Sequence, residues 1–437
     1  MKILKVAPFI NGVELQIDNI TPSTECFVKV IGNGSYEKTS YTIVRDKTIH
    51  IKNLLNDVDY NVFLQDAPKR SNNRLFRCGD YGGKVINYIH PDDMTYHPSG
   101  MCPASPSLIK LPSGRLIVSH DVFFYLMKQN ITILHYSDDR GKTWNYLSLV
   151  TPCFWGTVFL FNNNLYLMGM NGEYGDLLLY KSNDGGKTFS KPVIILPGGN
   201  RTIGGPHKAP MPVITHNERL WIAIEYGSWN LGGHGAGVIS ININKDIMDS
   251  KNWVVTPFLN YSKKWKGVIN SEQPGYLEGN VVINKDGSLC NILRYSTGND
   301  YKKYGKAIVL SIDKDKPSKK LSFNKVINFD GNNSKFAIRF DNVTKKYFTI
   351  VNRADKENTR KRNKVILMSS KDTVIWKDEA ILLDFSEYKE DYTKVGFQYI
   401  DFIFHENKIL YVSRTAINGA INFHDSNCIT FHEYIYN

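Results

Sequence analysis

Short apolar runs broken by Asn, Asp and Gly recur along most of the chain, and no stretch carries a sustained helical period. Runs of this length bounded by turn residues predict strands. From residue 105 onward they group into one repeating unit: an inner strand, a turn, a second strand, a polar loop, a third strand and an outer strand. SPSLIKL, GRLIVSHD, ITILHYS and TWNYLSLV form the first unit. FWGTVFLF, NNLYLMGM, DLLLYKS and TFSKPVIIL form the second. The third starts at HKAPMPVI, the fourth at GNVVIN, the fifth at KFAIRF and the sixth at FQYIDFIF. The sixth has three clear strands, and residues 70–90 are expected to supply its fourth, which removes the exposed edges. The pattern predicts an all-β chain built as a six-bladed β-propeller, with seven blades as the alternative.

Two segments punctuate the repeats at corresponding places, SDDRGKTW from Ser137 and SNDGGKTF from Ser182. Each places an Asp where its carboxylate accepts backbone N–H groups in a tight turn, a Gly where φ is positive, and an aromatic ring that packs between sheets. SSKDTVIW (369–376) and the stretch ending at Trp253 read as decayed copies. Residues 1–67 differ. GVELQIDNITPSTECFVKVIG and TIHIKNLLNDVDYNVFLQ alternate like a small immunoglobulin-like or fibronectin-like β-sandwich, and the Asn53-Leu54 to Tyr60 spacing resembles a fibronectin type III corner. A linker, Pro68 to Asn73, leads into the propeller domain, 68–437.

With 437 residues, 42% hydrophobic and 12% aromatic, the chain is long enough for one repeat-built domain and a small module. The net charge of +12 suits an anionic partner. The basic residues are spread without a nucleic-acid-binding motif, so nucleic acid is not the expected partner. No apolar run is long enough for a membrane span. No signal peptide is read at the N-terminus, which places the chain in the cytoplasm as it stands, or outside the cell if a leader was removed. The six Cys have no framework spacing and are expected as free thiols. The reading assigns no oligomeric state.

The two Asp boxes resemble those of the sialidase superfamily over roughly residues 70–437. That resemblance implies a propeller and, less directly, glycosidase chemistry. Sialidases carry Arg-Ile-Pro on the first inner strand, where this chain has Ala104-Ser105-Pro106 and lacks the Arg. SHDVF (119–123), GPHKAPMPV (205–213) and SRTAINGAINFHDSNCITFH (413–432) resemble propeller enzymes that cleave uronic-acid polysaccharides, the ulvan-lyase and rhamnosyl-glucuronate group. The lyase machinery implied is His, Tyr and Arg. Pro206 and Ile222 stand where its Tyr and Arg would fall.

In a propeller, the loops leading into the inner strands and those following the second strands line one mouth of the central channel. The first set supplies Trp155, His207-Lys208, Tyr276 to Glu278 and Gln398-Tyr399. The second supplies His120-Asp121, Glu173-Tyr174, Glu225-Tyr226, Arg294, Arg353 and Arg414. The three Arg share one register, in LRY, NRA and SRT. Guanidiniums converging on an axis repel unless an anion or neighbouring carboxylates neutralise them, and a carboxylate is the natural ligand. Pairing of each Arg with an acid of its own blade is the plain structural alternative. The expected catalytic set is His120, Asp121, His207, Tyr226, Glu225 and Glu278. Glu225 and Glu278 form a candidate carboxylate pair and His120 or His207 a general acid/base; the resemblance to sialidases implies a Glu-activated Tyr nucleophile, for which Tyr226 or Tyr276 is the candidate. The expected substrate-binding set is Arg294, Arg353, Arg414, Lys208, Tyr174, Trp155, Trp229, His234 and Tyr399. His424, Cys428 and His432 are weak candidates for a structural metal site, and no cofactor is expected.

The leading reading is an exo-acting glycoside hydrolase that cleaves at an acidic sugar, sialic or uronic, with an acidic oligo- or polysaccharide as partner. A lyase on uronate glycans is the second reading, and a non-catalytic glycan-binding propeller the third.

Overall fold

The computed structural model describes residues 2–18, 27–32, 47–66, 69–269, 275–296, 304–331, 333–353, 355 and 358–436. Cys26 and Pro68 lie outside them. Six antiparallel sheets follow one another along the chain, spanning 102–150, 154–196, 205–255, 275–328, 338–384 and 396–435. Each proceeds strand to neighbouring strand, as hairpin connections dictate. The sixth sheet takes its fourth strand, Lys84–Tyr88, from the other end of the domain, where it pairs with Cys428–Ile435. This all-β series, five sheets of four strands and the third of five, is a β-propeller architecture. No described helix is long and apolar enough to cross a membrane.

The third sheet departs from the expected continuous strand at HKAPMPVI. Gly205–His207 and Ile214–His216 both pair with Arg219–Ser228, and 208–213 between them is irregular. Pro210 and Pro212 remove two ladder donors there, which explains the break.

Alternate side chains of each strand enter two different cores. Met168 and Leu179 pack with Ile222 and Ile239 between the second and third sheets. Trp221 and Val238 pack with Leu293 and Ile308 between the third and fourth. At both boxes the Asp accepts from its own turn. Asp139 takes Thr143 N–H and Oγ1 at 2.9 and 2.6 Å, and Asp184 takes the Thr188 pair at 3.0 and 2.6 Å. Ser370 and Asp372 repeat part of this turn, with Ser370 Oγ 3.1 Å from the carboxylate.

Near the N-terminus, Lys2–Phe9, Gly12–Asp18 and Thr48–Lys52 form one sheet. Phe27–Gly32, Asp59–Asp66, Lys69–Arg70 and Arg74–Arg77 form another. The Tyr60 hydroxyl accepts Leu55 N–H at 2.8 Å. The first of these sheets docks on the Asp-box end of the 102–150 sheet. Buried Lys5 donates to Glu14 Oε1 at 2.6 Å and to the Trp144 carbonyl, and Gln16 accepts Tyr146 N–H at 2.5 Å. The five described cysteines are buried and unpaired.

One irregularity positions the site. On four inner strands two residues oppose one on the neighbouring strand: Ser105-Pro106, Trp155-Gly156, Glu278-Gly279 and Tyr399-Ile400. The first residue of each bulge has positive φ: 44° at Ser105, 52° at Trp155, 56° at Glu278 and 53° at Tyr399. Non-glycine residues seldom sit there, and such strain is held only where surrounding structure enforces it. A bulge re-aims a side chain at the rim of a closed sheet array. Gly279 must be glycine, because a Cβ would fall 2.2 Å from Asn291 Oδ1.

Candidate functional site

The bulges of the fourth and sixth sheets bring Glu278 and Tyr399 together. The Tyr399 hydroxyl donates to Glu278 Oε1 at 2.7 Å, and Arg294 Nη1 donates to Glu278 Oε2 at 2.8 Å. Arg294 Nε also donates to Asn333 Oδ1 at 2.8 Å. Burial opposes ionisation of Glu278, yet Arg294 and the Tyr399 hydroxyl hold its carboxyl below the ordinary range. Arg414 lies between two rings, with its guanidinium 4.8 Å from Phe123 and 5.0 Å from Tyr399, and donates to the His424 carbonyl.

Arg353 does not join this cluster. It turns away to Asp330 at 3.4 Å and to Asp378 of its own sheet, the structural alternative for that residue. The third guanidinium is Arg362, from the loop that enters the next strand of the same sheet. It is buried over Phe423 and donates only to carbonyls: Thr359 at 2.7 Å, Lys361 at 3.0 Å and Asn333 at 3.2 Å. Burial, then the Arg294 charge, push it down to about 9. Arg362 Nε and Arg414 Nε are buried without a partner among the described residues. A cavity of about 390 Å³ lies against this group, lined by Arg360, Tyr392, Phe423, His424 and Asp425 among others.

Across the mouth, Trp155, Tyr174, His207, Trp229 and His234 form a continuous wall. His207 meets Trp155 at 4.4 Å and His234 at 4.6 Å, and His234 stacks on Tyr174 at 5.7 Å. Behind it, Glu225 Oε2 is 3.6 Å from His207 Nδ1, and Glu225 Oε1 accepts Gly279 N–H at 3.0 Å. Burial pushes Glu225 up to about 8 and His207 down to about 4. The two carboxyls are thus pushed in opposite directions, Glu225 upward by burial and Glu278 downward by Arg294 and the Tyr399 hydroxyl.

Other expected residues lie elsewhere. His120 is buried between His135, stacked at 5.4 Å, and Asn87 at 3.1 Å, and burial pushes it down to about 4. Asp121 is buried on Gly156 N–H and Thr132 Oγ1, both at 3.1 Å, and burial pushes it up to about 7. They point to opposite faces of the sheet, His120 toward the closing strand and Asp121 toward the second sheet, as successive residues of one strand do. Tyr226 packs on Phe258 at 5.2 Å, and the Tyr276 hydroxyl donates to the Leu259 carbonyl, so neither reaches a carboxylate. Lys208 is buried on Thr157 Oγ1 at 2.5 Å, and burial pushes it down to about 7. His424, Cys428 and His432 do not converge. His424 pairs with Asp425 at 2.9 Å, Cys428 contacts the Thr415 carbonyl, and His432 stacks on Tyr411 at 4.7 Å. No cluster of three metal-ligating side chains occurs among the described residues.

Sequence reasoning missed Arg362, Asn333 and Phe123. Arg362 stands in a basic run, TRKRNK, that reads as a solvated loop, and its burial depends on Phe423 from the sixth sheet.

No family model and no curated protein matches the sequence. Solved structures match the fold. The Hadza microbial sialidase Hz136 is 14% identical at a TM-score of 0.54, covering 99% of this chain and 93% of that one. The α-L-arabinofuranosidase Arb93A of Fusarium graminearum, in complex with an iminosugar inhibitor, is 12% identical at 0.55, covering 80% and 97%. An ulvan lyase of family PL25 is 13% identical at the lower TM-score of 0.44, covering 99% and 96%. At these identities the likeness shows the fold alone, a β-propeller shared with that sialidase and that arabinofuranosidase.

Proposed function

We propose that this protein is an exo-acting glycoside hydrolase cleaving the bond of a terminal sugar that bears a carboxylate. The observation that carries this reading is the Tyr399 hydroxyl 2.7 Å from Glu278, whose carboxylate Arg294 keeps ionised. A phenol becomes a useful nucleophile when an adjacent base takes its proton. In this reading the Tyr399 oxygen attacks the anomeric carbon, its proton passes to Glu278, and the glycosidic C–O bond breaks. The leaving oxygen takes a proton from His207 Nε2, while Nδ1 is reprotonated by Glu225. Water then hydrolyses the sugar–Tyr399 bond, with the proton steps reversed. Arg294, Arg362 and Arg414 receive the sugar carboxylate. Arg362 and Arg414 are the better anion donors, since each has a buried N–H without a partner.

Six blades and two domains, 1–67 and 68–437, are part of the same proposal. They are supported by the six sheets and by the two separate N-terminal ones. The chain lacks an Arg at Ala104-Ser105-Pro106, and Arg414 is the guanidinium that compensates on the adjoining side of the mouth, beside Phe123.

The test is turnover of a panel of sialylated and uronic-acid glycans with mass detection of products. Tyr399→Phe should lower kcat by about 10³-fold or more while leaving binding and the unfolding transition unchanged. Products of unsaturated mass would assign the reaction to elimination, with Tyr399 abstracting the proton beside the carboxylate. Binding without product would leave a lectin.

A further inference from the structure

The mouth is chemically divided. Three clustered guanidiniums stand on the fourth to sixth sheets, at Arg294, Arg362 and Arg414, whereas Arg201, between the second and third, is neutralised by Glu173. The second and third sheets supply the wall of Trp155, Tyr174, His207, Trp229 and His234, all uncharged near neutral pH.

Within the wall, His234 is only 8% exposed, yet neither ring nitrogen has a partner among the described residues. Buried polar atoms are rarely left so, and each such atom points to a missing partner. Burial pushes His234 down to about 2, so its ring is neutral and offers one donor and one acceptor. That pair complements a hydroxyl, which also donates and accepts, and does not complement a carboxylate.

Trp229 stands beside it, 54% exposed, with its ring edge-on to His234 at 5.0 Å. The Trp is held by a short turn, Trp229–Leu231, that Ser228 caps, and Ser228 Oγ donates to the Arg201 carbonyl at 2.7 Å. Arg201 in turn grips Glu173 through two bonds at 2.7 and 2.9 Å. The turn that carries the exposed indole is therefore tied down. A flat apolar face next to a hydroxyl-matching pair is what a pyranose needs, since its C–H face stacks and its edge hydrogen-bonds. Beyond it lies a second cavity of about 420 Å³, lined by Leu126, Glu173, Asn200 and Arg201 among others.

We infer that Trp229 and His234 form a subsite for a neutral pyranose, which receives the leaving group. The substrate is then an acidic sugar linked to a neutral one, not an acidic homopolymer. The substrate assignment rests on the hydrolase reading, whereas the neutral-sugar site itself does not.

Saturation-transfer NMR with methyl β-D-galactopyranoside and methyl β-D-glucopyranoside tests the site. N-acetylneuraminic and glucuronic acids serve as the anionic probes. The expected result is binding of a neutral glycoside to the wild type and to Arg294→Ala. Binding should weaken about tenfold or more in Trp229→Ala and in His234→Phe, which keeps the ring and removes both nitrogens. Loss of the acidic sugars, but not of the neutral one, in Arg294→Ala would separate the two sites. Equal neutral binding in wild type and both wall variants overturns the inference. So does the absence of transfer to either neutral glycoside at tens of millimolar. Failure of the acidic probes alone would count against the hydrolase reading and leave this one standing.

Discussion

Arg353 and Arg362 are nine positions apart and face opposite environments. Arg353 sits between two aspartates, Asp330 and Asp378, and Arg362 is buried with carbonyl partners and an unused N–H. Arg362→Ala should weaken binding of carboxylated sugars by about 2 kcal/mol, a loss of roughly thirtyfold. Arg353→Ala should leave it unchanged, and titration calorimetry on the pair separates them. Glu225 makes a different prediction. Its carboxyl is pushed up to about 8, so the protonated form that resupplies His207 prevails below that pH and is lost above it. The rate should therefore fall as pH rises through about 8. Glu225→Gln cannot resupply the proton, so kcat should drop and that alkaline limb should vanish from the pH–rate profile.

At the level of single elements, the bulges and the sandwich contact decide how the chain is organised. Trp155, Glu278 and Tyr399 were picked out from the sequence because they fall where the chain enters an inner strand. What the pattern does not encode is that each stands at positive φ with two residues opposing one. Register is set by pairing across strands, and a one-residue shift exchanges the two faces. His120 and Asp121, adjacent on one strand, accordingly divide between its two faces, toward Asn87 and toward Gly156. The repeats and the two Asp-box turns were legible because their interactions are local, and the closing strand because the sixth repeat is one strand short. Arg362 was not, because Phe423 lies 61 positions away in the chain. The N-terminal contact allows a direct measurement. Lys5 is fully buried, and its partner Glu14 is nearly so. Lys5→Met should destabilise the protein by about 3–5 kcal/mol, since it leaves an uncompensated buried carboxylate. Adding Glu14→Gln should recover part of that loss in thermal or denaturant unfolding, the sign expected of a coupled pair.

On the scale of the molecule, closure joins residues far apart in sequence. Lys84–Tyr88 pairs with Cys428–Ile435, matching Tyr88 to Cys428, Asn87 to Ile429, Val85 to Thr430 and Lys84 to Phe431. The cations and the neutral wall belong to different sheets, so their spacing across the mouth depends on the ring being closed. Without the last strand, Lys84–Tyr88 and the strand Lys408–Ala416 would each present unpaired N–H and C=O groups, the template for pairing with other chains. The apolar contacts of Ile429 and Phe431 with Trp144 and Val118 in the first sheet would go with it. A chain ending at Asn427 should therefore associate or precipitate rather than yield a stable monomer with a weakened site, as read by size exclusion with light scattering. Val85→Pro is the milder version. It removes one ladder donor at the seam and should cost about 3 kcal/mol, lowering Tm while the folded fraction still turns over substrate. If the truncated chain stays monomeric with its unfolding transition intact, the seam is not what holds the ring, and the distance between the charged and neutral halves must be set by the inter-sheet cores alone.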